Sequence, residues 1–401
     1  MVIATLISGA CNWMASLVAS RMPNEEFSTY AGALKMVMLV ASPFVALQSV
    51  VAQSTGADLT PEQSMRARSE ARFVLKVVIA GWLCFVVYAL FNEASLVKEY
   101  KLGDSRIIWI SLGLILVSLL SPLFSGILQG KQSFGWLGTA NIAIGVGRVI
   151  PIFLALYFFH GKALSALGGV MLGLGLALAI TVSKSLSFWK GPVIELDIWK
   201  WVGNVVPIVI FIFLLSTMQN YDSVMASRVF VGEQKAVYFA VMTLGQALLY
   251  FSSAISLVVF PKAVQAAARS EKTNVLFQAV WVTLVIEIIG ALFCTFFPGF
   301  LLWLMKKPTT PEVCSLVTLY AWSVIPLGIS MVFINNFIAR KIYWPLPLFA
   351  LVAGGYYWAV HANSLDSRQL IRFMGTFNAA LLFCCLVVTA ILNKRQRTPV
   401  I

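Results

Sequence analysis

Charge is the first thing this chain has little of. Only 11% of its 401 residues are charged, against roughly a quarter in an ordinary soluble domain. A water-soluble fold of this composition could not cover itself with polar surface. Histidine is almost missing as well. His160 and His361 are the only two, and both read as loop residues between apolar runs, which argues against a histidine metal site. The six cysteines, Cys11, Cys84, Cys294, Cys314, Cys384 and Cys385, include no CxxC pair and read as free thiols, most of them within apolar runs. Long polar segments are absent too. The longest runs from about Ser54 to Glu70, which leaves no room for a soluble catalytic or nucleotide-binding domain.

Nucleotide signatures are also missing. Gly126-Ile-Leu-Gln-Gly130-Lys131-Gln132-Ser133 has the wrong spacing for a phosphate loop and carries Gln132 where Ser or Thr is needed. Gly145-Val-Gly147-Arg148 lacks the third glycine of a dinucleotide fingerprint. The chain is therefore read as no enzyme, with no catalytic residue, cofactor or bound metal. Its net charge is +13, but the cations are scattered over short loops. Nucleic-acid binding needs a basic face or arm, and none is visible. The excess suits loops facing anionic lipid.

What is present is apolar sequence. Hydrophobic residues make up 60% of the chain and the mean hydropathy is +0.87. A hydrocarbon core of ~30 Å takes about 20 apolar residues per helix. On that measure there are about twelve spans, roughly 2–20, 29–53, 72–92, 107–129, 135–158, 163–183, 201–226, 236–261, 275–297, 313–338, 343–360 and 369–392. The runs are continuously apolar rather than alternating, so they are helices and not barrel strands. The first run begins at Met1 without a basic leader and reads as a retained span. With both termini cytoplasmic, the inner loops and tail hold about 15 Lys and Arg and the outer loops about 11.

The halves echo each other. Asn12, Glu25 and Tyr30 recur as Asn220, Glu233 and Tyr238, each offset by 208. Phe124, Lys131 and Phe134 answer to Phe333, Arg340 and Tyr343, offset by 209. Six spans per half return the chain to the same side. The expected fold is thus an all-α polytopic membrane protein, with two six-helix lobes as parallel repeats around a central cavity. The lobes are expected over residues 1–190 and 191–401, the second ending in a short basic tail. Prolines punctuate many spans, most clearly Pro43, Pro122, Pro151, Pro207, Pro261 and Pro326. Gly169-x-x-x-Gly173 is a small-residue pattern that permits close helix contact.

Ionisable residues within spans mark candidate function, because each costs ~2.5–3.5 kcal/mol at mid-bilayer and faces a cavity or a partner. Arg148 lies near the middle of the fifth span and Lys35 in the outer half of the second. They read as cavity cations for an anionic group such as phosphate, against structural ion pairing or snorkelling. Lys76 reads as snorkelling to an interface. Asp222 and Glu287, in the seventh and ninth spans, read as coupling-ion sites or ion-pair partners, Asp222 with Arg228 close by. Asn12, Asn141 and Asn220 are polar cavity candidates, although amides in membranes more often join helices.

Several stretches carry a likeness. Leu128-Gln129-Gly130-Lys131-Gln132-Ser133-Phe134 closes the fourth span. Asn220-Tyr221-Asp222, Gly232-Glu233 and Tyr238 open the second half, and Phe260-Pro261-Lys262 ends the eighth span. In these the sequence resembles the polysaccharide-transport branch of the multidrug/oligosaccharidyl-lipid/polysaccharide flippase superfamily, the O-antigen and lipid-linked oligosaccharide flippases. The resemblance implies transfer of a polyprenyl-diphosphate-linked oligosaccharide from the inner to the outer leaflet of the bacterial plasma membrane, by alternating access. It also implies membrane lipid, H+ or Na+, and polysaccharide polymerase and chain-length proteins as partners. A cation-coupled multidrug exporter of the same superfamily and a non-transport scaffold are the alternatives. A major-facilitator-type carrier is disfavoured, because its Gly/Asp/Arg-rich loop after the second span is missing.

Overall fold

The computed structural model describes residues 2–56, 60–158, 162–249, 275–363 and 366–397. Among them the regular structure is helical throughout. Among the described residues nine helices are long and apolar enough to cross a membrane, and Ile7–Ala19 and Leu346–Ala362 are shorter apolar helices. Large apolar side chains stay exposed on the helix surfaces, Leu351 at 73% and Phe158 at 71%. In water that would be a liability, whereas in lipid it is the expected outer face.

The chain forms two compact units. The first holds Met1–Phe213 and Phe230–Ala236, and the second Leu214–Val229 and Val237–Ile401. In the first, α1 (Val2–Ala19) is followed by α2 (Asn24–Ala41) and α3 (Val45–Ser54). A single 3₁₀ turn, Ser42–Phe44, joins these two. It carries Pro43, whose missing N–H breaks the α-helical ladder there. Next come α4 (Pro61–Tyr100), α5 (Arg106–Gly130), α6 (Phe134–Phe158) and α7 (Ala163–Trp189). Helix α8 (Ile198–Val229) starts in the first unit and ends in the second. The second unit continues through α9 (residues 232–249, whose first turn counts with the first unit), α10 (Val275–Phe296) and α11 (Pro298–Leu304). It closes with α12 (Pro311–Ala339), α13 (Leu346–Ala362) and α14 (Ser367–Arg397). Pro261 and the Phe260-Pro261-Lys262 stretch lie outside the described residues, as does His160.

Two expectations need correcting. The polar run before the third span is not a loop beyond Thr60. It forms the first turns of the forty-residue α4, ~60 Å long at 1.5 Å per residue. A capping box starts it: the Gln63 N–H donates to Thr60 Oγ1 at 3.3 Å, and the Thr60 N–H donates to Gln63 Oε1 at 3.0 Å. The basic residues of this stretch hold the far end of α7. Arg68 donates to the carbonyls of Phe188 and Pro192, both at 3.1 Å, and Arg72 to that of Trp189 at 2.9 Å. Cations at a helix C-terminus also suit its dipole. Likewise His361 is not in a loop. It sits in the last turn of α13 with Nδ1 2.7 Å from the Tyr221 hydroxyl.

The repeat is written in the backbone. Lys101 and Lys306 both take φ 52°, and Gln132 and Lys341 both take φ 56°. Each follows a helix end closed by the same longer bond: Leu102 N–H to Val97 O and Lys307 N–H to Leu302 O, then Ser133 N–H to Leu128 O and Ile342 N–H to Phe337 O. These are left-handed caps that satisfy the last carbonyls. Their recurrence at matching places in both halves is stronger evidence of duplication than the few identical side chains.

Close packing comes from small residues. In the first unit α6 packs on α1 and α7, and α5 on α7 and α3. At the α6–α7 seam a Cβ added to Gly147 would lie 2.5 Å from Gly173 Cα, and Gly169 is pressed against Pro151. The Gly169-x-x-x-Gly173 pattern is thus the contact surface. Gly175, two residues further along the same helix, meets nothing within 4 Å. We expect Gly147→Leu to force the helices apart and cost on the order of 2 kcal/mol or more, read as a lower melting temperature and loss of the monodisperse peak in detergent. Gly175→Leu is expected to leave both unchanged.

Candidate functional site

Arg148 is the candidate cation of the first unit. It is 9% exposed on α6, and its Nη1 donates to Asn12 Oδ1 on α1 at 3.0 Å. The local sequence brings the two together. Gly145, one turn before Arg148, lies against Ser8 and Cys11 of α1. Small residues at that contact let the backbones approach, and Asn12 arrives one turn further along. A guanidinium offers five donors, and an amide oxygen carries no formal charge. Among the described residues no carboxylate lies within ion-pair distance of Arg148, and its buried Nε has no hydrogen-bond partner. The cation is oriented but not neutralised. Such a group can take an anion through its remaining donors.

The other expected residues of this unit are arranged differently. Asn141 is half-buried two turns before Arg148 on the same helix face. Lys35 is half-buried on α2, and Lys76 is exposed on α4.

In the second unit Asp222 is fully buried on α8. Its Oδ2 accepts from the hydroxyls of Tyr238 on α9, at 2.9 Å, and Tyr320 on α12, at 2.8 Å. Gln246 donates to the Tyr320 hydroxyl at 3.2 Å and to the Gln219 carbonyl at 2.8 Å. Gly245 lets the Tyr320 ring approach α9 closely. Charge-assisted bonds to a carboxylate are about twice as strong as neutral ones, so the cluster fastens three helices. Asn220 is spent within its own helix, donating to the Ser216 carbonyl at 3.2 Å. Glu287 is fully buried on α10, with its carboxylate against Gly328 of α12.

The structure therefore brings Asn12 to Arg148, and Asp222 to two tyrosines. Sequence reasoning missed Tyr320, Gln246 and Gly328. Tyr238 was visible as part of the half-chain echo, but Tyr320 is 98 residues from Asp222 and carries no local signal. The Glu287 contact gives a clean test. A methyl at residue 328 would overlap the Glu287 carboxylate, so Gly328→Ala is expected to lower the melting temperature by several degrees. Adding Glu287→Ala should recover most of that loss, because the colliding group is then gone.

No family model matches the chain, and no curated protein matches it in sequence. Solved structures match it in fold. An inward-facing multidrug resistance MATE family transporter of the MOP superfamily superposes with a TM-score of 0.73 at 13% identity, covering 100% of both chains. The lipid II flippase MurJ, in an inward closed conformation, superposes with a TM-score of 0.72 at 14% identity, covering 97% of this chain and 87% of its own. A MOP superfamily transporter from Pyrococcus furiosus, described as having a binding pocket of reverse polarity, superposes with a TM-score of 0.62 at 13% identity, covering 99% and 96%. The chain has the polytopic helical fold shared by these transporters.

Proposed function

We propose that the chain is a flippase for a polyprenyl-diphosphate-linked oligosaccharide, moving it from the inner to the outer leaflet of the bacterial plasma membrane by alternating access. The observation that carries this reading is Arg148, buried mid-span on a single amide with, among the described residues, no carboxylate within ion-pair distance. A sugar head cannot cross hydrocarbon unaided, because its hydroxyls would lose their hydrogen bonds. A cation inside the fold receives the diphosphate while the polyprenyl tail stays in lipid. Arg148 is the primary contact in this proposal, with Lys35 as the second cation and Asn12 and Asn141 as polar neighbours. The lobes of the proposal are residues 1–190 and 191–401, with both termini cytoplasmic. An inside-negative potential favours outward movement of negative charge by about 2.3 kcal/mol per charge per 100 mV, which gives direction without ATP. The cycle contains no covalent step. Polymerase and chain-length proteins of surface polysaccharide synthesis are the proposed partners.

One observation favours a second reading, a cation-coupled multidrug exporter. Asp222 and Glu287 are both fully buried carboxylates of the second unit, suited to H+ or Na+. Against it, no Asp or Glu occurs within the first six apolar spans, where a cationic drug would need one.

The test is the sidedness of lipid-linked sugars in cells depleted of this protein. We expect accumulation in the inner leaflet, restored by the wild-type chain. Arg148→Ala, at equal expression, should restore transfer tenfold less well or worse, a barrier increase of about 1.4 kcal/mol. Full restoration by that variant would remove Arg148 from the path. Unchanged sidedness with altered sensitivity to cationic drugs would favour the exporter.

A further inference from the structure

A second charged cavity lies away from Arg148, at one end of the first unit. The start of α2, the turn between α4 and α5, the start of α7 and residues 230–235 at the start of α9 enclose about 620 Å³. Four cations line it, Lys101, Arg106, Lys162 and Lys235, against three carboxylates. Two of the carboxylates are already engaged. Asp104 pairs with Arg106 at 2.7 Å, and Glu26 Oε2 accepts from the Ala163 N–H at the start of α7 at 2.6 Å. Four cations against three carboxylates leave the lining with an excess of positive charge.

Lys235 is the unusual member. It is 3% exposed, and its Nζ donates to the Tyr100 carbonyl at 3.3 Å. Among the described residues no carboxylate lies within ion-pair distance of it. A buried ammonium held by one long bond to a neutral oxygen is costly unless something else reaches it. Lys101 and Lys162 are exposed on the same cavity, so a ligand arriving there meets two exposed cations and one buried one.

We propose that this cavity binds a phosphate-bearing anion, with Lys235 as its buried contact and Lys101 and Lys162 closing over it. A phospholipid headgroup and a free phosphate or diphosphate share this chemistry. Lys235 stands in the first turn of α9, ahead of the apolar stretch. Burial, and secondarily the charge of Lys101, bring its pKa down to about 8. Lys162, Arg106, Glu25, Glu26 and Asp104 line the same space. With its pKa lowered in the empty cavity, Lys235 is charged below about pH 8, and the site's affinity for an anion falls as pH rises above that value.

The test uses the purified full-length chain in neutral detergent at low salt, titrated with inorganic pyrophosphate by calorimetry. We expect a saturable binding component that Lys235→Met weakens at least tenfold. The surface double variant Lys101→Gln/Lys162→Gln should weaken it similarly and keeps the test open if Lys235→Met does not fold. Binding should fall between pH 7 and 9.5 even though pyrophosphate itself gains negative charge over that range. The same titration in nanodiscs separates the sources. A site open in phosphatidylcholine but blocked by added phosphatidylglycerol is a lipid headgroup site, and one open in both takes a free anion. No saturable binding, or binding indifferent to all three lysines, overturns the proposal. The measurement involves no transport, so its failure is distinguishable from failure of the flippase reading.

Discussion

Hydrocarbon offers no hydrogen bonds, and the structure follows from that constraint. Every polar group carried into a span needs a partner on another helix or on its own backbone. The helices meet that need for their peptide groups. Side chains are handled one by one. Serine and threonine hydroxyls turn back to carbonyls three or four residues earlier, as Ser111 does to Ile107 at 2.7 Å and Ser330 to Pro326 at 2.7 Å. Asp222 is met by two tyrosine hydroxyls. Against this background Arg148 stands apart in its span, because one amide cannot balance a guanidinium. A buried charge left short of partners within its own unit is where a ligand of opposite charge gains most.

The same constraint explains the glycines. Without a hydrophobic force between helices in lipid, association rests on close van der Waals contact and a few interhelical hydrogen bonds. Gly145 draws α1 onto α6 and so delivers Asn12 to Arg148. The Gly147–Gly173 crossing holds α7 on the opposite side. Fold stability and site geometry in the first unit are therefore set by the same few small residues. A change at that seam should reach the candidate site without touching it.

Much of this was legible in the sequence because continuous apolar runs admit one solution in a bilayer. Spans among the described residues could be read from hydropathy, and Asn12/Asn220 and Phe124/Phe333 signalled an internal repeat. The length of α4 was not legible: its first turns are polar, and polarity between spans looks like a loop until the Thr60–Gln63 cap is recognised. Arg148 stood out as a lone charge in an apolar run. Its partner did not, since nothing in the sequence ties Asn12 to a residue 136 positions away. The tyrosines around Asp222 were hidden for the same reason, and aromatic residues in spans are too common to single out Tyr320. The cavity at Lys235 needs four separate segments to exist, and sequence order holds no trace of their meeting.

The central claim is that the fold carries an anionic, lipid-linked cargo. It is tested most directly by reconstituting the purified chain in liposomes with a polyprenyl-diphosphate disaccharide in one leaflet and a cationic dye in the lumen. Leaflet transfer of the sugar lipid and release of the dye are then followed in the same vesicles. The account predicts protein-dependent transfer of the sugar lipid, faster when the donor side is electrically negative, with the dye retained. Release of the dye while the sugar lipid stays in its original leaflet would contradict it.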